Sequence, residues 1–175
     1  MIRERSVLGN DGAAVTKLLE YPATLVIYHP RERRAKCTAV PLTGRQDVTF
    51  RRYRLEPLPD LTEYFRLGFS DSPAARLTPA DASRGLLILD GTWRLVQRME
   101  RDLTQVPVRS LPHLETAYPR VSKLSADPPG GLATVEAIFV AYLILGRSLE
   151  GLLDHYRWSD EFLQKNQRSF AQLRA

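Results

Sequence analysis

Residues 85–90 read Gly-Leu-Leu-Ile-Leu-Asp, an apolar run without alternation. Such a run suits a central parallel strand covered on both faces. Ala23 to Tyr28 is a second β-branched and aromatic run, stopped by His29-Pro30, and predicts another buried strand. Val48 to Leu55 predicts a strand with mixed faces, ended by Pro57 and Pro59. Helical spacing appears over 93–103, where Leu95, Val96 and Met99 share a side. It is strongest over 132–145, where Leu132, Val135, Ile138, Ala141, Tyr142 and Leu145 fill one side and Gly146 supplies the stop. Shorter helices are predicted over 13–21, 149–156 and 161–173, the last opened by Ser159, Asp160 and Glu161. Thr78-Pro79-Ala80-Asp81 has the cap, first-turn proline and acidic third position of a helix start. Residues 60–76 are ambiguous. Residues 105–131 hold five prolines and two adjacent glycines and predict an ordered loop region with room for one short strand. Strands alternating with helices predict an α/β fold with a mainly parallel sheet and flanking helices.

The length of 175 residues allows one domain, or a domain with a small lobe. Apolar residues at 43% and charged residues at 26% exclude a disordered chain, a collagen and a coiled coil. Cys37 is the single cysteine, which excludes an intrachain disulfide and a cysteine cluster for zinc. The apolar run that ends at Leu145 is too short to span a bilayer. Met1-Ile2-Arg3-Glu4-Arg5 has no apolar leader. The expectation is a cytoplasmic protein without a membrane partner.

Charge changes this picture. The net charge is +5, and arginine outnumbers lysine 21 to 4. Between Arg31 and Arg54, seven Arg and one Lys stand against Glu32 and Asp47, so this segment carries +6 and the remainder −1. Arginine favours flat bidentate contacts with phosphate and stacks on bases. A concentrated basic segment points to a polyanion, RNA or DNA; a solvated arginine-rich face is the other reading. The expected contacts are Arg31, Arg33, Arg34, Lys36, Arg45, Arg51, Arg52 and Arg54, joined by Arg120 and Lys123 from the later loop. The corresponding division is a basic, RNA-contacting N-terminal lobe over 1–80 and a cofactor-binding part with C-terminal helices over 81–175.

Two places can carry chemistry. In open α/β sheets ligands bind at the carboxyl ends of strands. Asp90 lies at such an end, followed at once by Gly91, Thr92 and Trp93, where helix-N-terminal amides point outward. An acid, a hydroxyl and a large flat ring there suit a small-molecule pocket. Equally, Asp90 or Thr92 caps the helix and Trp93 belongs to the core. The second place is the loop 111–131, either a binding loop or a plain connection. His29, His113 and His155 are too scattered for a zinc site, and Cys37 reads as a small packed residue. No glycine-rich phosphate loop is present, so a nucleotide hydrolase or a dinucleotide enzyme is not expected.

Leu89-Asp90-Gly91-Thr92-Trp93 resembles the motif that names the DTW-domain family. The rest is similar to the related ribosome-biogenesis aminocarboxypropyltransferases of small-subunit rRNA. The similar pieces come in order: Lys36-Cys37-Thr38; Leu77 to Asp81; Asp90 to Trp93; Leu111-Pro112-His113-Leu114; Lys123-Leu124-Ser125; Val135-Glu136-Ala137; and Tyr156-Arg157-Trp158 with Phe162, Leu163 and Asn166. They cover roughly residues 25–167. Gly91-Thr92 stands where the rRNA family usually has Cys-Ser. Ala117 to Arg120 replaces a longer stretch, and Asp127 to Gly131 looks inserted.

The resemblance implies a SPOUT-like fold with a C-terminal trefoil knot, an exception to the usual rule against knots. It implies S-adenosylmethionine as cofactor, and transfer of its 3-amino-3-carboxypropyl group to a ring nitrogen of uridine or pseudouridine in structured RNA, rRNA or tRNA. A monomer is implied. Asp90 and Trp93 would line the pocket around the methionine part, with Leu89 and Thr92 beside them. Thr38 would lie near the amino-acid end or the ribose. The backbone around Leu111 and Pro112 and the helix start near Thr134 and Ala137 would hold the adenosine. Asp90 would take the base proton or hold the cofactor's ammonium. The alternatives are a SPOUT-type RNA methyltransferase and a non-catalytic RNA-binding ribosome-assembly factor.

Overall fold

A computed structural model describes residues 20–68, 74–119 and 131–173. Five strands form one sheet: β1 (Thr24–Tyr28), β2 (Val48–Arg52), β3 (Tyr64–Gly68), β4 (Gly85–Asp90) and β5 (Val108–Ser110). Their order is β2-β1-β4-β3-β5, and every pair is parallel. Four helices accompany them: α1 (Trp93–Arg101), α2 (Thr134–Leu145), α3 (Ser159–Lys165) and α4 (Gln167–Leu173). This is the expected α/β class with a parallel sheet and flanking helices.

The apolar run of β4 has the predicted central place, between β1 and β3. Its side chains alternate between two cores, as pleating requires. Leu86 and Ile88, with Val26 and Phe65, join the core that contains α2. Leu87, with Leu25, Ile27 and Tyr64, joins Val96 and Met99 of α1. The larger core is closed by Phe139, Phe162 and Phe170, whose rings meet edge to face at 5.6–6.1 Å. Burying an aromatic or aliphatic side chain there contributes about 1.5–3 kcal/mol.

Helix α2 is buried on nearly all sides, which explains why its sequence is apolar around the whole circumference. Gly146 ends it at φ +66°. The Tyr142 hydroxyl donates to the Asp47 carbonyl at 3.1 Å and accepts from Thr24 at 2.9 Å, tying α2 to the start of β1. From the other side, Asn166 donates to the Glu115 carbonyl and accepts its amide. The segment after β5 is thereby fixed against the break between α3 and α4.

Several expectations are corrected. Strand β3 falls inside the ambiguous 60–76 segment; Arg66 interrupts its apolar pattern, yet Arg66 is buried and paired with Glu100 at 2.5 Å. Strand β2 stops at Arg52, before a turn in which Arg54 has φ +59°. The helix start at 78–81 is a single 3₁₀ turn, Pro79–Asp81. Residues 149–156 form turns: Gly151 adopts φ +70°, which an α-helix cannot continue through, and Arg45 holds the Glu150 carbonyl at 2.6 Å. The helix expected over 161–173 is two helices that part at Asn166. The helix expected over 13–21 falls almost wholly outside the described residues.

The sheet crosses the boundary expected at residue 80: β1, β2 and β3 precede it, and β4 and β5 follow. Because the strands are parallel, their carboxyl ends share one edge. Tyr28 stands opposite both Asp90 and Arg52 there. No helix among the described residues is long and apolar enough to cross a membrane.

Candidate functional site

At that edge a cleft of about 660 Å³, its open mouth included, lies between α1 and the start of α2. Leu67 and Gly68 end β3, Ile88 and Leu89 belong to β4, and Leu111 and Pro112 follow β5; all six reach the cleft. Helix α1 contributes Trp93, Val96 and Glu100, three positions that share a face at helical spacing. Gly131, Leu132, Thr134 and Ala137 form the α2 side. The mostly apolar lining suits a small organic ligand. A place at the carboxyl ends of parallel strands is where open α/β sheets bind ligands.

Six of the residues singled out in the sequence therefore meet in one wall: Leu89, Trp93, Leu111, Pro112, Thr134 and Ala137. Asp90, Thr38 and Thr92 do not form that wall. Asp90 is 7% exposed, and its Oδ1 accepts the Thr134 hydroxyl at 2.5 Å. Burial first, then the Asp90 charge, pushes the Cys37 pKa far up, so the thiol stays protonated and unreactive at neutral pH. Thr38 Oγ1 accepts the Val135 amide at 3.1 Å, satisfying a first-turn amide of α2 from another segment. The Thr92 amide donates to Glu32 at 3.0 Å, placing an acid at the start of α1, where the helix dipole favours it.

Behind the α2 wall stands Glu136, fully buried. Its Oε2 accepts the Ala133 amide at 2.8 Å and the Thr116 hydroxyl at 2.6 Å. Its Oε1 accepts the Ala117 amide at 2.9 Å and the Tyr156 hydroxyl at 2.8 Å. Four donors from three chain segments thus meet on one carboxylate, which offsets the cost of burying it. Sequence reasoning quoted Glu136 within a motif but gave it no role; acid at the third helical position is the signal that was available. Val96 and Glu100 were also missed, although they follow Trp93 by three and seven residues.

The basic residues divide. Arg31, Arg33 and Lys36 are exposed in the segment after β1, at the same edge as the cleft. Arg34 lies over the Tyr28 ring at 4.6 Å and the Phe50 ring at 4.9 Å. Arg51 is half-buried and bonds the Phe50 carbonyl. Arg52 pairs with Glu56 and Arg54 with Asp102, both arginines remaining exposed. Arg45 is committed elsewhere: two of its nitrogens hold Asp47 at 2.9 Å and a third holds the Glu150 carbonyl. These bonds tie it to the fold. Arg120 and Lys123 lie outside the described residues. His29 donates its amide to the Asp90 carbonyl at 3.1 Å. Burial, then the charges of Arg31 and Arg98, lower its pKa.

No family model matches the chain. It is similar to the 16S rRNA aminocarboxypropyltransferase of Methanosarcina mazei, at 28% identity over 158 residues, 86% of this chain and 84% of that protein. It is also similar to the 16S rRNA aminocarboxypropyltransferase of Methanosarcina acetivorans, at 28% identity over 149 residues, 81% and 80% of the two chains. Among solved structures it resembles the SAM-dependent rRNA:acp-transferase Tsr3 from Vulcanisaeta distributa, with a TM-score of 0.65 and 24% identity, covering 87% of this chain and 83% of that one. The structural likeness shows a shared fold.

Proposed function

We propose that this chain is an RNA aminocarboxypropyltransferase that uses S-adenosylmethionine and acts on small-subunit rRNA. The observation that carries the reading is the cleft itself. Six residues from three separate stretches of the sequence line one mostly apolar cleft, at the same edge of the sheet as the exposed Arg31, Arg33 and Lys36. The Methanosarcina relatives bear this activity in their names. The finer reading is transfer to a ring nitrogen of uridine or pseudouridine by a monomeric, cytoplasmic protein of the SPOUT-like class. A C-terminal trefoil knot belongs to that class; the bonds from 115–117 to Glu136 and Asn166 support a chain path held between later elements.

The wall fits the cofactor's chemistry. Trp93 and Val96 offer an apolar face for a methyl group. The stretches at Leu111-Pro112 and Gly131-Leu132 flank the space for a nucleoside. When bound, S-adenosylmethionine supplies an electrophilic carbon next to a sulfonium. The chain's contribution is to fix which carbon faces the RNA, because the reacting atoms must lie in line. Asp90 acts through Thr134, so we assign it to positioning the start of α2, not to taking the base proton. Arg31, Arg33, Arg34 and Lys36 would hold phosphates while the target base, unpaired or flipped, enters the mouth. The 1–80 segment is thus the RNA-contacting part in this reading.

The test is incubation with small ribosomal subunits and total small RNA from a host lacking this gene, using S-adenosylmethionine labelled at the carboxyl carbon. Label in the small-subunit rRNA is expected. Label in tRNA would move the substrate. Transfer of a methyl label alone would make the chain a methyltransferase. RNA binding without any transfer would make it an assembly factor.

A further inference from the structure

Among the described residues, Glu100 is the one ionisable side chain on the cleft wall. Its Oε1 accepts from Arg66 Nη1 at 2.5 Å. Arg66 belongs to β3, has a side chain only 9% exposed, and does not reach the wall, whereas the Glu100 side chain is 26% exposed. The ion pair is therefore a dipole with its negative end toward the cleft. Arg66 Nε is buried without a partner among the described residues, so the guanidinium is anchored mainly by this carboxylate. On α1, Glu100 stands one turn beyond Val96 and two beyond Trp93, roughly 6 and 10 Å along the axis. In the reading above, those are the residues that face the methyl of the cofactor. A negative group at the apolar end of that face acts on charge at low effective dielectric, where it matters most.

Resting on that reading, we infer that Glu100 reads the positive charge of the bound donor and separates the sulfonium cofactor from its neutral thioether product. Transfer breaks the bond between sulfur and the departing carbon, and the electron pair stays on sulfur. The base nitrogen supplies the pair for the new bond and releases its proton to water. The sulfur is left uncharged. The attraction to Glu100 thus exists before transfer and vanishes with it, which favours release of 5′-methylthioadenosine and rebinding of the charged donor.

The experiment is calorimetric binding of S-adenosylmethionine, S-adenosylhomocysteine and 5′-methylthioadenosine to the intact protein and to Glu100→Gln. Glutamine keeps an acceptor for Arg66 and removes the charge. S-adenosylmethionine affinity is expected to fall ~10-fold, a change on the scale of one close charge contact, with the two neutral ligands within about twofold. If Glu100→Gln does not fold, the double variant Arg66→Met with Glu100→Gln removes both charges together, and the same selective loss is expected. An equal loss for all three ligands, or no loss, overturns the inference and leaves the proposed function standing. Failure of the unsubstituted protein to bind any of the three overturns the proposed function and this inference with it.

Discussion

The Thr134 hydroxyl donates to the Asp90 carboxylate at 2.5 Å, and this bond joins the carboxyl end of β4 to the first turn of α2. Thr134 faces the cleft and Asp90 stands behind it. The bond ties one wall of the cleft to the other. Replacing Asp90 by Ala leaves the Thr134 hydroxyl without this acceptor. We expect Asp90→Ala to lower aminocarboxypropyl transfer about 100-fold, the scale set by small misplacements at a reacting centre, while circular dichroism stays native. Thr134→Val should reproduce much of the loss. Normal transfer by both variants would remove the bond from the site.

Glu136 makes a different prediction, because its four partners belong to the fold as much as to the cleft. Glu136→Leu removes every acceptor at once and leaves two amides and two hydroxyls buried or half-buried. Breaking such a buried network costs about 3–5 kcal/mol, a large fraction of a domain's ~5–15 kcal/mol. The urea midpoint should fall accordingly. A variant as stable as the natural protein would show that these bonds carry little net energy.

How far the sequence could be read follows from where its signals were local. The unbroken run of β4 announced the central strand, because burial on two faces forces an apolar sequence, and the turn to Trp93 leads into the cleft. Strand β3 was hidden by Arg66, a charge whose partner Glu100 lies 34 residues away; no window of the chain contains both. Asp90 was placed at the correct strand end, but its direction was not legible, because Thr134 is 44 residues away. Arg45 counted as a free positive charge in the sequence, whereas the fold gives it Asp47 and the Glu150 carbonyl.

His29 gives a pH dependence whose sign can be worked out. Burial, then Arg31 and Arg98, lower its pKa below 6.5, so the folded chain binds this proton less readily than the unfolded chain. The stability tied to the neutral ring is present above about pH 6.5 and is lost as pH falls through the folded value. The urea midpoint should decline on acidification below that point. His29→Asn, which keeps an acceptor for the Arg31 amide now held by Nδ1, should flatten that slope. An unchanged slope would assign the acid sensitivity to other groups.

The two kinds of arginine at the basic segment can be separated by salt. Each phosphate neutralised by the protein releases counterions, so the slope of log affinity against log salt counts phosphate contacts, at about 0.7 per contact for a single strand. Arg31, Arg33 and Lys36 are exposed in the segment after β1, and replacing all three with Gln should reduce the slope by about 2 while the melting temperature holds. Arg45→Gln should do the reverse. It breaks the bond pair to Asp47 and the hold on Glu150, costing on the order of 1–3 kcal/mol for charged hydrogen bonds, and should leave the slope where it was. A fall in slope with Arg45→Gln at unchanged stability would return that residue to the RNA surface.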